Sequence, residues 1–460
     1  MFFRQYYLAC LSQASYLIGD TTTGRAVVVD PLRDVSEYLA DAQANGLRIE
    51  RVIETHFHAD FLSGHLELAQ HGAVISYGDA ATGRAEFPIE PLADGQRLSL
   101  GEVQLQILST PGHTPESISV VVYEHAGDAE PTAVLTGDTL FIGDVGRPDL
   151  LVSIGVSADE LAAQLYHSLH EKLLTLPDST KVYPAHGAGS ACGKNLSTET
   201  VSTIGEQRRT NYALQPMTEA DFVEAVTQGQ SVAPLYFSFA ANRNRELHDV
   251  LDEYGPIEQL TLDAVLAVQA GGAVVLDSRE AIEFAAGHVT GSINVGLSGR
   301  FAEYVGEVVR AGTQIVLVAE PGTEAEARLR LARIGFDTVV GALVDPVAAM
   351  AAHPEHVSRM SRLTAVELEH LRARVPDLTI VDVRNPGELE DGVIPGSVSI
   401  PLPQLLARLS ELDPTHPTVV HCAGGYRSSI AVSTLWAAGF ADVSDLIGGF
   451  GAWAALASNA

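Results

Sequence analysis

Residues 55–65 read THFHADFLSGH, with His56, His58 and Asp60 at alternate positions just after the β-rich run RIERVIETH (48–56). The same ending recurs along the first 210 residues. VQLQILSTPGHT (103–114) ends at His113, TAVLTGD (132–138) at Asp138, and KVYPAHG (181–187) at His186. One histidine after a strand is most simply a structural residue. His56, His58, Asp60, His113, Asp138 and His186, all at predicted strand ends, are hard to assign to packing and point to a metal.

The rest of this region also alternates short strands and turns, as in RAVVVDP (25–31), with a helical stretch at SADELAAQLYHSLHEKLLTL (157–176). Residues 211–258 are mixed and polar, and read as a connector. Beyond them lies an internal repeat. VVLDSREAIEFAAGHVTGSINV (274–295) matches TIVDVRNPGELEDGVIPGSVSI (379–400), pairing Asp277 with Asp382, Arg279 with Arg384, Gly287 with Gly392 and Gly291 with Gly396 at one offset of 105. ARIGFDTV (332–339) echoes WAAGFADV (436–443). Two such copies alternating strand and helix predict two duplicated α/β domains with parallel sheets, at 259–350 and 362–460.

Bulk properties narrow the classes. At 460 residues the chain exceeds one core and suits about three domains. A net charge of −30 argues against nucleic acid or an anionic membrane as partner. No apolar run approaches the about 20 residues of a membrane span, and the N-terminus, interrupted by Arg4, Gln5 and Gln13, reads as mature strand sequence. Cys10, Cys192 and Cys422 are too few and too scattered for a disulfide framework, which suits a reducing cytoplasm. A homo-oligomer is compatible with the sequence.

The order HxHxD, PGHT, GD, PAHG resembles the metallo-β-lactamase superfamily over residues 1–210. GDVGRPDL (143–150) and LYHSLHEKLLTLP (165–177) are more similar to its persulfide dioxygenase branch than to glyoxalase II. The resemblance implies an αββα sandwich with the metal at one edge. Two-metal hydrolases of the superfamily extend the motif to HxHxDH, but here the last position is Phe61, which ligates nothing. Asp60 and His186 alone would hold a second ion poorly, so one metal per chain is expected. By resemblance that metal is Fe(II) on His56, His113 and Asp138, with zinc as the alternative or an artefact. Two histidines and one carboxylate leave open positions, the arrangement of non-haem iron oxygenases, where a persulfide and O2 would meet. His58, Asp60 and His186 would then orient the ligands and tune the ion. His65 reads as a helix-start residue and Asp30 as a buried turn-former. Arg147, in GRPDL, is either an ion-pair partner or a wall of the substrate site. Cys192, six residues after His186 in a Gly- and Ser-rich loop with Lys194, is either a bystander or a thiol near the entrance that exchanges sulfur with substrate.

VVHCAGGYRSSIA (419–431) sets Cys422 between an apolar strand and an apolar helix. Small residues after the cysteine let backbone N–H groups converge on an anion, and the helix N-terminus with Arg427 favours thiolate. With VDVR (381–384), IPGSVSIP (394–401) and GGFGAW (448–453), this loop resembles the rhodanese family over residues 362–460. The resemblance implies a persulfide on Cys422, cradled by Ala423, Gly424, Gly425, Tyr426 and Ser428 with Arg427. Cys422 to Arg427 is C-x4-R, shorter than the C-x5-R loop of related phosphatases, so sulfur is the better-sized cargo. Val393 stands where the family's histidine would be, a change expected to affect packing alone; the first copy keeps that residue as His288. The first copy's counterpart loop, LVAEPGTEAEA (317–327), has neither Cys nor Arg, and Glu320 and Glu324 would repel an anion. That domain is expected to be an inactive spacer or docking unit.

Together the resemblances imply a persulfide dioxygenase joined to a sulfurtransferase. It would use a low-molecular-weight thiol persulfide such as glutathione persulfide, O2, and sulfite or thiosulfate, in sulfide detoxification or sulfur assimilation. The alternatives are a glyoxalase II-like zinc thioesterase and a persulfide carrier or sensor.

Overall fold

A computed structural model of the chain describes residues 1–150, 152 and 155–458. It divides into two units, residues 1–230 with 237–251, and residues 231–236 with 252–460.

The first unit is built on two six-stranded sheets. In one, strands Phe2–Leu8, Gln13–Asp20, Arg25–Val29, Arg48–Ile53, Val74–Gly78 and Glu90–Leu92 lie in chain order; the first three pair antiparallel and the rest parallel. In the other the order is Ser202–Thr203, Lys181–Pro184, Ala133–Gly137, Ile118–Tyr123, Gln104–Ser109 and Arg97–Ser99. The apolar period of two explains the layering. Tyr16, Ile18, Val27 and Val29 share one core with Val120 and Val122 of the second sheet. Their neighbours Leu17 and Val28 face the helical layer of Tyr38 and Leu66, and Val121 and Tyr123 face that of Leu165 and Phe222. This is the αββα sandwich expected from the sequence.

The second unit contains two five-stranded parallel sheets of identical strand order. Gln259–Leu260, Val339–Leu343, Ile315–Val318, Val274–Asp277 and Ile293–Asn294 form one. Ser361–Leu363, Val443–Leu446, Thr418–His421, Thr379–Asp382 and Val398–Ser399 form the other. The repeat in sequence is therefore a repeat in topology. Its matched residues do matched work: Arg279 grips Asp277 and donates to the Gly287 carbonyl at 3.0 Å, and Arg384 grips Asp382 and donates to the Gly392 carbonyl at 2.8 Å. Where the copies differ, His288 is buried against Phe284 and Val393 is exposed. No helix among the described residues is long and apolar enough to cross a membrane.

Within the segment read as a connector, the helix Glu219–Thr227 is closed by a Thr218–Asp221 capping box and buries Phe222 and Val226. Residues 237–251 belong to the first unit.

Candidate functional site

The strand Arg48–Ile53 runs straight into the loop that carries Glu54 to Ser63, and three other strand ends bring His113, Asp138 and His186 to meet it. His56 Nε2 and His113 Nε2 lie 4.0 and 3.5 Å from Asp138 Oδ2. These three residues are buried and present ligand atoms within 4.8 Å of one another. Each histidine is held by its other nitrogen. His113 Nδ1 donates to the Arg147 carbonyl at 2.9 Å, and His186 Nδ1 to the Ser12 carbonyl at 3.2 Å. His56 Nδ1 pairs with Thr55 Oγ1 at 3.0 Å, whose hydroxyl donates to Asp30. That leaves His56 Nε2, His186 Nε2 and both Asp138 oxygens buried without a hydrogen-bond partner. Buried polar atoms are ordinarily paired, so a convergent set of orphaned donors fits a metal ion as the missing partner. Burial, then repulsion from His58, His113 and His186, holds His56 well below its ordinary pKa, so it offers a neutral lone pair.

His58 is turned the other way. Its Nε2 donates to Asp30 Oδ1 at 3.0 Å and lies 3.3 Å from Glu54 Oε2. Burial would lower its pKa, but Asp30 and then Glu54 outweigh that and raise it well above the usual value. Asp30, with φ of 50°, also accepts from Thr55 N at 2.7 Å, so it anchors the loop from behind. His65 lies 3.5 Å from Glu54, away from the convergent set. Phe61 is fully buried, its ring 4.3 Å from that of His58.

Asp60 Oδ2 lies 3.4 Å from His186 Nε2. Cys192 is inside the site, not at its mouth: it is buried with Asp60 and His186 as a second group of three that could hold an ion. Burial, followed by the Asp60 and Asp138 charges, pushes its thiol pKa well up. The same two carboxylates raise His186 against the effect of burial. Both shifts report a pocket of negative potential. Arg147 fulfils the ion-pair reading. Its guanidinium clasps Asp149 through two 2.7 Å bonds, while its backbone N–H and Nη1 hold the Cys192 and Ala191 carbonyls, each at 3.1 Å. A Cβ at Gly146 would run into the Asp138 carbonyl, so glycine is required beside the site. Lys194 turns away to the Ala225 carbonyl.

In the second unit, Cys422 is buried where the strand Thr418–His421 gives way to the helix Tyr426–Ala437. Gly425 N donates to its sulfur at 3.1 Å, and Ser428 Oγ lies 3.7 Å from it and donates to Asp445 at 2.6 Å. Ala423 and Gly424 are exposed. Tyr426 reaches out of the loop, its hydroxyl 2.6 Å from the Gly296 carbonyl of the first repeat. Arg427 makes two 2.6 Å bonds to Glu388, so its charge is already neutralised by a carboxylate. Sequence reasoning missed Glu54, Glu388 and Asn244; the acidic residue inside RVIETH was the one available signal.

Known proteins share these parts. The metallo-β-lactamase superfamily pattern matches residues 8–186, and the rhodanese-like domain pattern matches 261–344 and 364–456. Mitochondrial persulfide dioxygenase ETHE1 of Bos taurus is 32% identical over 235 residues, 50% of this chain and 82% of that protein. A cytoplasmic hydroxyacylglutathione hydrolase of Arabidopsis thaliana is 33% identical over 183 residues, 39% of this chain and 66% of that protein. A solved metallo-β-lactamase from Staphylococcus aureus subsp. aureus COL matches with a TM-score of 0.67 and 34% identity, over 74% of this chain and 98% of its own. Fold and site define a metallo-β-lactamase-type metal centre joined to two rhodanese-like domains. Within that superfamily the chain belongs to the family of the persulfide dioxygenase ETHE1.

Proposed function

We propose that the first unit oxidises a low-molecular-weight thiol persulfide with O2 to sulfite at a single non-haem Fe(II), and that Cys422 moves sulfane sulfur among persulfide, sulfite and thiosulfate. The family already places the chain among enzymes of sulfur metabolism. The observation that carries the finer reading is the convergence of His56, His113 and Asp138, with His56 Nε2 and both Asp138 oxygens orphaned. Iron(II) on this set would supply open positions and redox chemistry that zinc lacks. The balanced reaction takes RSSH, O2 and water to RSH, sulfite and two protons, four electrons passing from the outer sulfur to O2.

The chain's own groups prepare that chemistry. The Arg147 carbonyl and Thr55 hydroxyl fix the ring orientations of His113 and His56, and the hydrogen-bonded His58, Asp30 and Glu54 cluster braces the loop. Phe61 fills its position with an apolar ring that offers no ligand atom. In the second unit, the Cys422 thiolate attacks the outer sulfur of thiosulfate. A new S–S bond forms, the old one breaks, and sulfite leaves with its electron pair. The Gly425 N–H, aimed at the sulfur, stabilises the anion. Residues 259–350 have no cysteine and carry no persulfide themselves.

Metal analysis combined with an oxygen electrode tests the reading. About one iron per chain and O2 uptake with glutathione persulfide are expected. Two zinc ions with thioester cleavage would overturn it in favour of a hydrolase, and persulfide binding without O2 uptake would favour a carrier. Cys422→Ser is expected to abolish sulfur transfer from thiosulfate and to leave O2 uptake in place.

A further inference from the structure

The first repeat lacks a cysteine but keeps a chamber. A cavity of about 680 Å³ opens in it, within the roughly 300–1,000 Å³ of small-molecule sites. Strand pairing explains its origin. Asp277 pairs with Val318 and Asp382 with His421, so Ala319 takes the place of Cys422 and Glu320 that of Ala423. In the same way Leu317 pairs with Ala342 and Val420 with Asp445, which sets Val347 where the second repeat has Phe450. The Phe450 ring lies 4.1 Å from the Arg384 guanidinium and covers it. Val347 is too short to do the same: it is 69% exposed, and Arg279 is left lining the cavity.

The charges around the cavity are not matched within it. Arg279 engages Asp277 and the Gly287 carbonyl through Nε and Nη2. Its Nη1 has no hydrogen-bond partner among the described residues, whereas Arg384 Nη1 donates to the Glu388 carbonyl at 3.1 Å. Arg359 also lines the cavity, and among the described residues its guanidinium has no carboxylate partner. Glu283 and Glu320 line it together. The hydrogen bond to Glu283 raises the Glu320 pKa, with burial adding and Arg279 opposing. Two carboxyl groups in contact repel when both are charged, so a cation between them is favoured. Met350 adds a buried, polarisable thioether to the wall.

We propose that this cavity is a non-covalent binding site for a low-molecular-weight peptide thiol, a zwitterion of the glutathione class. The ammonium sits between Glu283 and Glu320, the carboxylates meet Arg359 and Arg279 Nη1, and the sulfur-bearing chain lies against Met350. A simple anion such as thiosulfate is opposed by the two glutamates. With Ala319 in place of a cysteine, nothing can be bonded covalently at this position. The repeat that carries no persulfide thus holds the thiol itself. That the ligand is a thiol rests on the reading of the first unit; that it is a zwitterion rests on the cavity.

The test uses the full-length, iron-loaded protein and S-methylglutathione, whose capped sulfur is neither a thiolate for iron nor a partner for Cys422. Hydrogen exchange read by mass spectrometry is expected to show protection in peptides covering 279–287 and 346–359. Titrating that protection gives the affinity of this site alone. Val347→Phe, which restores the cover, and Arg359→Ala, which removes a cation, should each weaken it by about tenfold or more. Acetylating the ligand's amine should weaken it by a similar factor, and thiosulfate should not compete. Absence of the protection, unchanged affinity in either variant or with the acetylated ligand, or displacement by thiosulfate overturns the site. O2 uptake with glutathione persulfide is recorded on the unsubstituted protein. Its absence sinks the dioxygenase reading without altering the protection pattern.

Discussion

Asn244 Nδ2 donates to the main-chain oxygens of His58 and Phe61, both at 2.8 Å, and its Oδ1 accepts from Ser63 N at 2.9 Å. One buried side chain thus clamps both ends of the loop that carries the metal motif. Asn244→Ala would strand two carbonyls and one N–H in a dry interior. The expected loss is about 3 kcal/mol, a fall in melting temperature of about 6–12 °C for a unit of this size. Calorimetry with metal analysis checks it, and lower metal retention should accompany the shift. An unchanged melt would mean that the loop is held by its own residues alone.

Glu307 supplies a pH test in the second unit. It is buried, and its Oε2 has no hydrogen-bond partner. Burial above all, with Glu303 adding and Arg300 and Arg427 opposing, pushes its pKa up to about 8. The folded state therefore holds a proton between about pH 4.5 and 8 that the unfolded state has released. Stability falls as pH rises through that window, by about 3–5 kcal/mol in all. Glu307→Gln should flatten the dependence and be the more stable protein at pH 8. Both tryptophans, Trp436 and Trp453, lie in this unit, so denaturation followed by their fluorescence reads it selectively.

How far the sequence reached depended on the range of the interactions. The metal residues were legible because each closes a short, strongly β-patterned run, and strand ends place chemistry predictably. The duplicated domains were legible because Asp277–Arg279 and Asp382–Arg384 are local pairs that repeat at one spacing. Asn244 was not, since its partners lie over 180 residues away and its own segment reads as polar connector. Cys192 could be suspected from its distance to His186 but not aimed, because its direction depends on Arg147 and Asp144. Arg427 read as a cation over the sulfur loop; nothing near it announces Glu388, which takes up its charge.

Gly449 has a φ of 56°, and a Cβ there would strike the Cys422 carbonyl. The close approach lets Phe450 N donate to that carbonyl at 2.7 Å and Gly451 N to Ala423 O at 3.1 Å, which fixes the cysteine loop. Gly449→Ala adds left-handed strain of about 1 kcal/mol to the collision. Sulfur transfer from thiosulfate should fall at least about tenfold, with O2 uptake unaffected, because the alteration lies in the second unit. Steady-state kinetics of both reactions on one preparation separate these effects. Full transferase activity would show that the loop tolerates displacement.

Metal removal should act on the first unit alone. Stripping the ion leaves His56 Nε2 and the Asp138 oxygens buried and unpartnered, with Asp60 close to the same cluster. An ion held at about 1,000 times its dissociation constant stabilises the folded state by about 4 kcal/mol, so a chelator should lower that unit's melting temperature by about 8–16 °C. The first unit contains no tryptophan. Its melt is followed by backbone circular dichroism while tryptophan fluorescence follows the other unit in the same sample. The chelator should move the dichroism transition and leave the fluorescence transition where it was. Equal shifts in both signals would place the stabilising ion's influence beyond the cluster of His56, His113 and Asp138, and no shift in either would mean that the cluster does not hold one tightly.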